Sequence, residues 1–550
     1  MALAFSSQSA HLAPVARLFA AAALIGGGLA LGAAPGVAAQ RSAAGFVDQG
    51  SVVFTGEGYP SDIDPANNEQ EYGDTVIRNI DDTLVRLAGT SLNSFEPELA
   101  TSWSSNADKS VWTFHLRHGV AFHTGRCCMT SADVAYSLGR SVSAQLGGSY
   151  MLGRFITDPS RQIAALDPYT VQFRLGRPQP LFLAAAAQNY NALILDSRAV
   201  KAHEVKHDWG HAWVATHDAG TGPYMIQSLT VNQQVALARF PGYWGGWSGR
   251  HFSRVLITTV TDSTTRRELV ERGQADITFD LTPQDYNALK SNSKVQVVAP
   301  YATQIVYIAM TPSGPLASPL ARQALSYAFP YDALIKGIYG GYAKRSNGVI
   351  PSTILGYNSK GFQYTTDLVK AKALLRQAGV PQGTTLTYTY DPNFPNSQMG
   401  QILAAQLQQV GINLKLQQLD TGAFSTLFYG TAPASQRPNL LAYTWWPDYN
   451  DPYDMANTLI GGTQGPPNGN NGGLYRNKQV DALLARMENA SPGTVGRLGV
   501  QLQDLSTRVD PACIWAAEPA QVTVLAGNLR GYIANPVDLR TFFFYTMYRG

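Results

Sequence analysis

The chain has 550 residues, of which 45% are hydrophobic and 14% are charged, and its formal net charge is +3. This balance provides no basic stripe for nucleic acid and no polybasic patch for a membrane surface, which argues against both functions. The length suggests roughly three or four domains. Ligand affinity is therefore expected to come from a pocket.

The first 39 residues have the pattern of a signal peptide. Arg17 precedes an apolar run over residues 18–31, and residues 37–39 are small, so cleavage after Ala39 is predicted. A membrane anchor is the alternative, but the run is short and rich in Gly and Ala. Since no Cys stands near the cleavage point, a lipid anchor is not expected, and the segment predicts a soluble periplasmic protein.

The three cysteines leave the disulfide pairing open. The adjacent Cys127 and Cys128 can hardly bridge each other without strain, so a bond from one of them to Cys513, with one thiol left over, is the expected alternative. No further Cys or His follows the adjacent pair at the spacing of a metal ligand. The pair therefore does not predict a zinc site.

Residues 51–176 predict mostly strands. Thr130 and Asp133 form a capping box, which begins a helix ending near Arg140. The other predicted elements are a strand at 51–55, a helix at 74–85, a strand at 111–116 and a strand pair within 161–176.

Residues 203–207 read His-Glu-Val-Lys-His, the H-E-x-x-H pattern of zinc proteases. On a helix, His203 and His207 share one face, and Glu204 can act as the general base. The surroundings are polar and Gly210 interrupts the pattern soon after, which is unusual for a zincin helix. A secreted zinc hydrolase is the competing functional hypothesis, and a surface metal site or a solvated helix are the alternatives.

The next segments predict one β-α-β unit and then a second lobe. The unit consists of a strand at 255–260, a helix at 264–272 and a strand at 276–279. A strand around 305–309 leads into the second lobe, and Ser318 caps a helix with Pro319 at its first position.

Residues 367–443 predict α/β structure with a parallel sheet. Helices at 367–378 and 397–410 end at Gly379 and Gly411, and each leads into an alternating strand. The next strand of that sheet is predicted at 440–443. Near the chain end, residues 522–525 precede a turn, and the aromatic run at 542–545 predicts a strand returning to the first lobe.

The strand at 440–443 ends in an aromatic and acidic segment that contains Trp445, Trp446, Asp448 and Tyr449. In open α/β sheets, ligands bind outside the carboxyl ends of strands, so this segment is a candidate binding mouth. The alternative is a surface turn, because Asn-Asp-Pro at 450–452 is common turn sequence.

Several segments resemble one family, the extracellular solute-binding proteins of peptide and nickel ABC importers, which include dipeptide- and oligopeptide-binding proteins. The resemblance covers residues 50–548. Trp445, Asp448, Asp451 and Pro452 match its "W-x-x-D…D/E-P" element. The other matching segments are 97–103, 112–125, 133–140, 220–224 (Gly-Thr-Gly-Pro-Tyr), 243–246 (Tyr-Trp-Gly-Gly) and 322–325 (Arg-Gln-Ala-Leu), whereas Pro330 departs from the pattern.

The resemblance implies a periplasmic-binding-protein-like α/β fold of type II, in which two hinged lobes close on a ligand. Lobe I is expected to comprise residues 40–85, 211–300 and 512–550, with an extra subdomain at 86–210, and lobe II residues 301–511. Such a protein captures a small solute and delivers it to an ABC permease in the inner membrane. It is expected to be a monomer, with no enzyme activity, no cofactor and no resident metal.

The resemblance also implies a binding site. In peptide-binding members, the carboxylate that matches Asp448 holds the ligand's α-ammonium group. The predicted ligand-binding residues are Asp448, Trp445, Trp446, Tyr449, Asn471 and Tyr475, although a core position is the alternative for Trp446. Lys344, Arg345 and Arg437 are candidates for the ligand's carboxylate on composition alone. A short peptide is the expected ligand, and a nickel complex, glutathione, an opine or a sugar are the alternatives.

Overall fold

The computed structural model describes residues 50–550 except 59–61, 69–70, 190, 448, 468, 489 and 539. The predicted signal peptide lies outside the described residues. The chain forms two mixed sheets of seven and six strands and a third, antiparallel sheet of four strands. We call the part around the seven- and four-stranded sheets the first lobe, and the part around the six-stranded sheet the second lobe.

The seven-stranded sheet is the core of the first lobe. Its strand Ser51–Gly56 lies parallel to both neighbours, and the helix Ser263–Glu271 connects those two neighbours as the predicted β-α-β unit. The strands lie in the order Val295–Val298, Thr523–Ala526, Ile277–Phe279, Ser51–Gly56, Arg254–Thr259, Gln234–Arg239 and Tyr224–Thr230.

The four-stranded sheet belongs to a segment inserted between two strands of the first sheet. Its strands, in spatial order, are Ala100–Ser105, Val111–Leu116, Thr170–Arg174 and Ile163–Asp167, and all pairs are antiparallel. The helix Ser131–Ser143 begins with the predicted capping box of Thr130 and Asp133. The insertion agrees with an extra subdomain, whose boundaries at 86 and 210 stay predictions.

The six-stranded sheet is the core of the second lobe. Its strands lie in the order Ala343–Lys344, Cys513–Pro519, Ile305–Met310, Leu440–Trp445, Thr384–Tyr390 and Ile412–Gln418. The last three are mutually parallel, as the sequence predicted for residues 367–443, and the other neighbouring pairs are antiparallel, so the whole sheet is mixed. The chain passes between the two large sheets twice, after Val298 and after Pro519, as the two-lobe prediction requires.

The helices pack on these sheets, and among the described residues none has both the length and the apolar character needed to cross a membrane. The remaining α-helices are Glu71–Ile80, Ser149–Gly153, Pro159–Gln162, Phe182–Ala185, Ser197–Ala202, His211–Val214, Pro283–Leu289, Pro319–Ala328, Leu368–Gln377, Asn396–Gln409, Thr421–Phe428, Pro452–Ile460, Lys478–Met487 and Pro492–Asp504.

Two element predictions need correction. The first helix ends at Ile80 rather than Val85, because Val85 begins the short strand Val85–Leu87. The aromatic run 542–545 is not a strand. Phe542 and Phe544 instead bury their rings in the apolar cluster of the seven-stranded sheet, and the last strand, Tyr548–Arg549, follows them.

The disulfide, whose pairing the sequence left open, does not involve Cys513. Cys127 and Cys128 are bonded to each other, and the peptide between them is cis. Cys513 is a free, buried thiol. It begins a central strand of the second lobe's sheet, whereas the two adjacent cysteines belong to the first lobe's inserted segment.

The Gly-Thr-Gly-Pro-Tyr segment packs tightly against the end of the first helix. The Gly222 amide donates to the Ile80 carbonyl at 2.9 Å. A Cβ at Gly222 would stand 2.5 Å from the Ile80 carbonyl carbon, and one at Gly220 would overlap the Asp81 carboxylate. Glycine is required at both positions because backbone approaches backbone here.

Candidate functional site

A cavity of about 680 Å³ lies where the end of the second lobe's strand Leu440–Trp445 faces the first lobe's helix Ser149–Gly153. This volume is within the usual range of small-molecule sites. The lining combines aromatic side chains with amides and a few charges. It consists of Tyr150, Met151, Arg154, Tyr429, Tyr443, Thr444, Trp445, Trp446, Pro447, Tyr449, Asp454, Asn457, Thr458, Gln464, Pro467, Gly469 and Asn470.

The wall from the second lobe is built by the end of a sheet strand. Residues 440–442 are completely buried, and the strand pairs with Ile305–Met310 up to the partners Trp445 and Ile305. Successive side chains of a strand point to opposite faces of the sheet. Trp446 follows the last residue of the strand, so this rule does not apply to it, and it lines the same cavity as Trp445. The structure therefore favours a cavity-lining position for Trp446 over the core position.

Two lining residues hold buried polar atoms that have no hydrogen-bond partner among the described residues. They are the indole N–H of Trp445, a donor, and the side-chain oxygen of Asn470, an acceptor. Buried polar groups are normally satisfied, so such atoms beside a cavity indicate where a ligand or solvent can bind. A donor and an acceptor together suit a peptide bond, which offers one of each.

Tyr449 bridges the two lobes. It lines the cavity, yet only 2% of it is exposed, because its ring belongs to the apolar cluster of the first lobe's inserted segment. Its centroid lies 5.9 Å from that of Phe155 in an edge-to-face arrangement. The next residue, Asn450, donates a hydrogen bond to the Leu92 carbonyl at 3.1 Å. The loop after the second lobe's strand therefore packs against the first lobe.

Arg154 supplies a positive charge to the cavity from the first lobe. It donates to Asp454 of the second lobe at 3.4 Å, and its guanidinium carbon lies 5.3 Å and 5.0 Å from the ring centroids of Tyr449 and Tyr453. Burial lowers the pKa of Arg154, but the neighbouring tyrosines and Asp454 outweigh it and raise the pKa. The side chain therefore stays charged.

No sequence signal indicated Arg154. The helix before it, Ser149–Gly153, has only five residues and carries no recognisable motif. The three cations named from composition are engaged elsewhere, and none of them lines the cavity. Lys344 contacts Glu518 and Ser352, Arg345 donates to the Tyr364 carbonyl, and Arg437 donates to the carbonyls of Gly430 and Phe428.

Two carboxylates begin the helix Pro452–Ile460 behind the wall of the second lobe. Asp451 caps the helix by accepting the Tyr453 amide at 2.7 Å. Its burial raises its pKa to about 7. Asp454, one turn further, lines the cavity and is the partner of Arg154.

The predicted site residues fall into three groups. Trp445, Trp446 and Tyr449 come together at the cavity. Asp448 lies outside the described residues, but Pro447 and Tyr449 on either side of it line the cavity. The ligand-binding roles of these residues stay predictions.

Asn471 and Tyr475 form the third group, and the structure favours a scaffold role for both. They are 2% exposed and do not line the cavity. The Asn471 side chain donates to the carbonyls of Gly461 and Tyr475 at 3.0 Å and 2.8 Å, and accepts from the Tyr475 amide at 2.9 Å. They hold the loop that carries the lining residues Gln464, Pro467, Gly469 and Asn470.

The H-E-x-x-H segment does not form the helix that the zinc hydrolase hypothesis needs. The helix Ser197–Ala202 ends before His203, and His207 is an exposed residue with a left-handed φ of 63°. The His203 ring stacks on Trp213 at a centroid distance of 4.2 Å. Among the described residues, no group of three or more His, Cys, Asp or Glu side chains is arranged to hold a metal.

Comparison with known proteins agrees with this architecture. The chain is 28% identical over 454 residues to the probable D,D-dipeptide-binding periplasmic protein DdpA of Escherichia coli, covering 82% of this chain and 84% of that protein. It is 28% identical over 443 residues to a glutathione-binding protein GsiB of E. coli, covering 80% and 83%.

A solved relative has the same fold. The periplasmic binding protein DppA of Helicobacter pylori, in complex with the peptide STSA, superposes with a TM-score of 0.77 at 25% identity, covering 91% of this chain and 98% of that one. The family described as bacterial extracellular solute-binding proteins, family 5 Middle, matches residues 94–467. This match spans more than half of the chain, which therefore belongs to the family 5 bacterial extracellular solute-binding proteins.

Proposed function

We propose that this solute-binding protein captures a short peptide between its two lobes and delivers it to an ABC permease. The observation that carries the proposal is the aromatic cavity at the end of the strand Leu440–Trp445, with residues of both lobes in its lining. The relatives named for dipeptide and glutathione binding, and the solved complex with a peptide, support peptide as the ligand class.

The proposed contacts are of two kinds: one is to the charged ammonium group of the peptide, and the others are to its neutral backbone and side chains. Asp448 accepts a charge-assisted hydrogen bond from the peptide's ammonium group, and Trp445 and Trp446 contact its side chains. The Trp445 indole N–H and the Asn470 carbonyl oxygen, both without a partner among the described residues, hydrogen-bond to the peptide backbone. Because these hydrogen bonds are made to the main chain of the peptide, we expect the protein to bind peptides with many different side chains.

Ligand binding and lobe closure are coupled in this proposal. A ligand shifts a two-state equilibrium only by its differential affinity for the two states. Because the cavity is lined from both lobes, a peptide makes its full set of contacts only when the lobes are together. We further propose that the mature protein begins after Ala39, lies in the periplasm and works there as a monomer.

Mass spectrometry of small molecules released by denaturing the purified mature protein tests the ligand class. We expect short peptides, because closed receptors retain what they bind. Release of a single nickel chelate, opine or sugar would support the role as a solute-binding protein but would contradict peptide as the ligand class. Stoichiometric zinc in protein purified without a metal-affinity tag, with no released solute, would favour the hydrolase instead.

A further inference from the structure

Two ion pairs among the described residues join the lobes, and in each the arginine belongs to the first lobe and the carboxylate to the second. Arg154 contacts Asp454 at 3.4 Å. Arg177 contacts Glu488 at 2.7 Å. Packing contacts act only when atoms touch, whereas charges attract across several ångströms of solvent. The facing edges of the two lobes therefore attract each other before they meet.

The outer pair, Arg177 and Glu488, is separate from the ligand cavity. Arg177 follows the first lobe's strand Thr170–Arg174. Glu488 follows the second lobe's helix Lys478–Met487, and neither residue lines the cavity. Their side chains are 49% and 34% exposed. An exposed pair loses little hydration when it forms and leaves no buried charge when it breaks, so it can form and break as the lobes move.

The outer pair continues the inner pair of Arg154 and Asp454 towards the solvent. Burial raises the pKa of Tyr453, and Glu488 raises it further. Arg154 and Arg177 lower the same pKa, so charges of both pairs act on this one hydroxyl. The Asp454 side chain is 1% exposed, whereas both partners of the outer pair reach the surface. The two pairs thus form a band of charge across the lobe boundary, and salt screens its outer end.

We propose that Arg177 and Glu488 form a latch that draws the two lobes together before a ligand is bound. This inference rests on the proposed capture of a ligand between the lobes, and it names a pair of side chains that favours closure without touching the ligand. The latch raises the closed fraction of the ligand-free protein. Because apparent affinity follows the fraction of protein in its binding-competent state, the latch also strengthens binding, most of all at low ionic strength.

Pulsed electron spin resonance on the ligand-free mature protein tests the latch, because it measures the distance between one spin label on each lobe. Maleimide spin labels are attached at Leu166→Cys in the first lobe and Val369→Cys in the second, at positions that are 50% and 83% exposed. The native Cys513 is buried. We expect the parent to populate two distances, one of which matches this structure. The matching fraction should fall as NaCl is raised from about 0.05 M to about 0.5 M.

Charge reversal shows whether the two residues act as a pair. Arg177→Glu and Glu488→Arg each place like charges opposite one another. Each should lower the ratio of closed to open protein by about 2- to 10-fold, which is more than the loss of an exposed ion pair alone. The double variant Arg177→Glu/Glu488→Arg restores an ion pair with the charges exchanged, so it should recover most of the parent's ratio.

Arg161→Glu is the matched control, because Arg161 lies in the same inserted segment and pairs with Asp158 of its own lobe at 3.5 Å. It changes the net charge as Arg177→Glu does and should keep the parent's ratio. The latch would be overturned by single variants that behave like this control, by a parent whose ratio does not depend on salt, or by a double variant no better than the single ones. Since the protein is ligand-free, these outcomes leave peptide capture standing, whereas release of a solute other than a peptide would contradict the peptide and not the latch.

Discussion

The two walls of the cavity are built in different ways. The second lobe's wall is the end of a sheet strand, Leu440–Trp445, which pairs along its whole length with Ile305–Met310 and at Leu440 and Leu441 with Thr384–Tyr390. The first lobe's wall is the five-residue helix Ser149–Gly153 and Arg154 after it. A strand end fixes its side chains through backbone hydrogen bonds of the sheet, whereas a single helical turn depends on what packs around it.

The packing around the first lobe's wall comes from distant segments. The Gly148 amide before the helix donates to the Ala66 carbonyl at 3.1 Å, and the Asn191 side chain donates to the Gly148 carbonyl. Leu152 is fully buried in the cluster of the inserted segment. Both walls therefore depend on distant segments, but the second lobe's wall is held by a regular strand pairing and the first lobe's wall by loop and side-chain contacts.

The largest expected effect comes from Asp448, which follows the second lobe's strand in the sequence. We expect Asp448→Ala to weaken peptide binding by about 2 to 5 kcal/mol, because the ammonium group loses its charged partner in a desolvated site. Calorimetry with a short peptide identified among the small molecules released from the purified protein measures the loss. Asp332→Ala, which removes an exposed carboxylate paired with Lys336 in the same lobe, is the control and should bind as the parent does. Parent-like affinity in Asp448→Ala would remove this residue from the site.

A smaller effect is expected where the two walls meet, at Tyr449. Tyr449→Ala removes an aromatic ring that the second lobe buries in the first, so the closed state loses stability. We expect Kd to rise by roughly 30-fold, about 2 kcal/mol, because the closed state is weakened while the contacts to the peptide are kept. X-ray scattering should show a more open average shape at the same peptide concentration.

Tyr169→Ala gives the contrasting control. Tyr169 packs against the same apolar cluster from within the first lobe, so trimming it should lower Tm and leave Kd unchanged. Tyr449→Ala should do the reverse and leave the Tm of the ligand-free protein near that of the parent. If both variants change only Tm, Tyr449 is a packing residue and the bridge between the lobes does not contribute to binding.

Much of the fold could be predicted because local signals agree with it. The capping box of Thr130 and Asp133, and the glycines that end the helices before residues 384 and 412, indicated elements that the structure contains. The parallel pairing predicted for the strands within residues 367–443 is confirmed. Periodicity could not show which other strands complete the sheet or which way they run, because Ile305–Met310 comes from far along the chain and lies antiparallel both to Leu440–Trp445 and to Cys513–Pro519.

The candidate site was predictable only where one segment carries its own chemistry. Trp445, Trp446 and Tyr449 follow a buried strand, so their place at its end could be expected. Arg154 could not be found because its role depends on residues some 300 positions away, including Asp454. Asn471 and Tyr475 were assigned to the ligand by spacing, but spacing does not distinguish a side chain that contacts a ligand from one that supports the loop.

The last expected effect is on stability rather than on binding, and it concerns the pH dependence of Asp451 behind the second lobe's wall. Burial raises the pKa of Asp451 to about 7, so between about pH 4 and 7 the folded protein holds a proton that the unfolded chain has lost. The stability that this proton contributes is complete below about pH 4 and is lost as the pH rises toward 7, by at most about 1.4 kcal/mol per pH unit.

Asp451→Asn keeps a capping oxygen for the Tyr453 amide but cannot titrate. We therefore expect the unfolding free energy of the parent, measured relative to this variant by urea titration, to fall as the pH is raised from 4.5 to 6.5. Asp420→Asn is the control, because Asp420 caps the helix Thr421–Phe428 in the same way at an exposed position. A parent that gains stability over Asp451→Asn with rising pH would show that Asp451 is ionised in the folded protein.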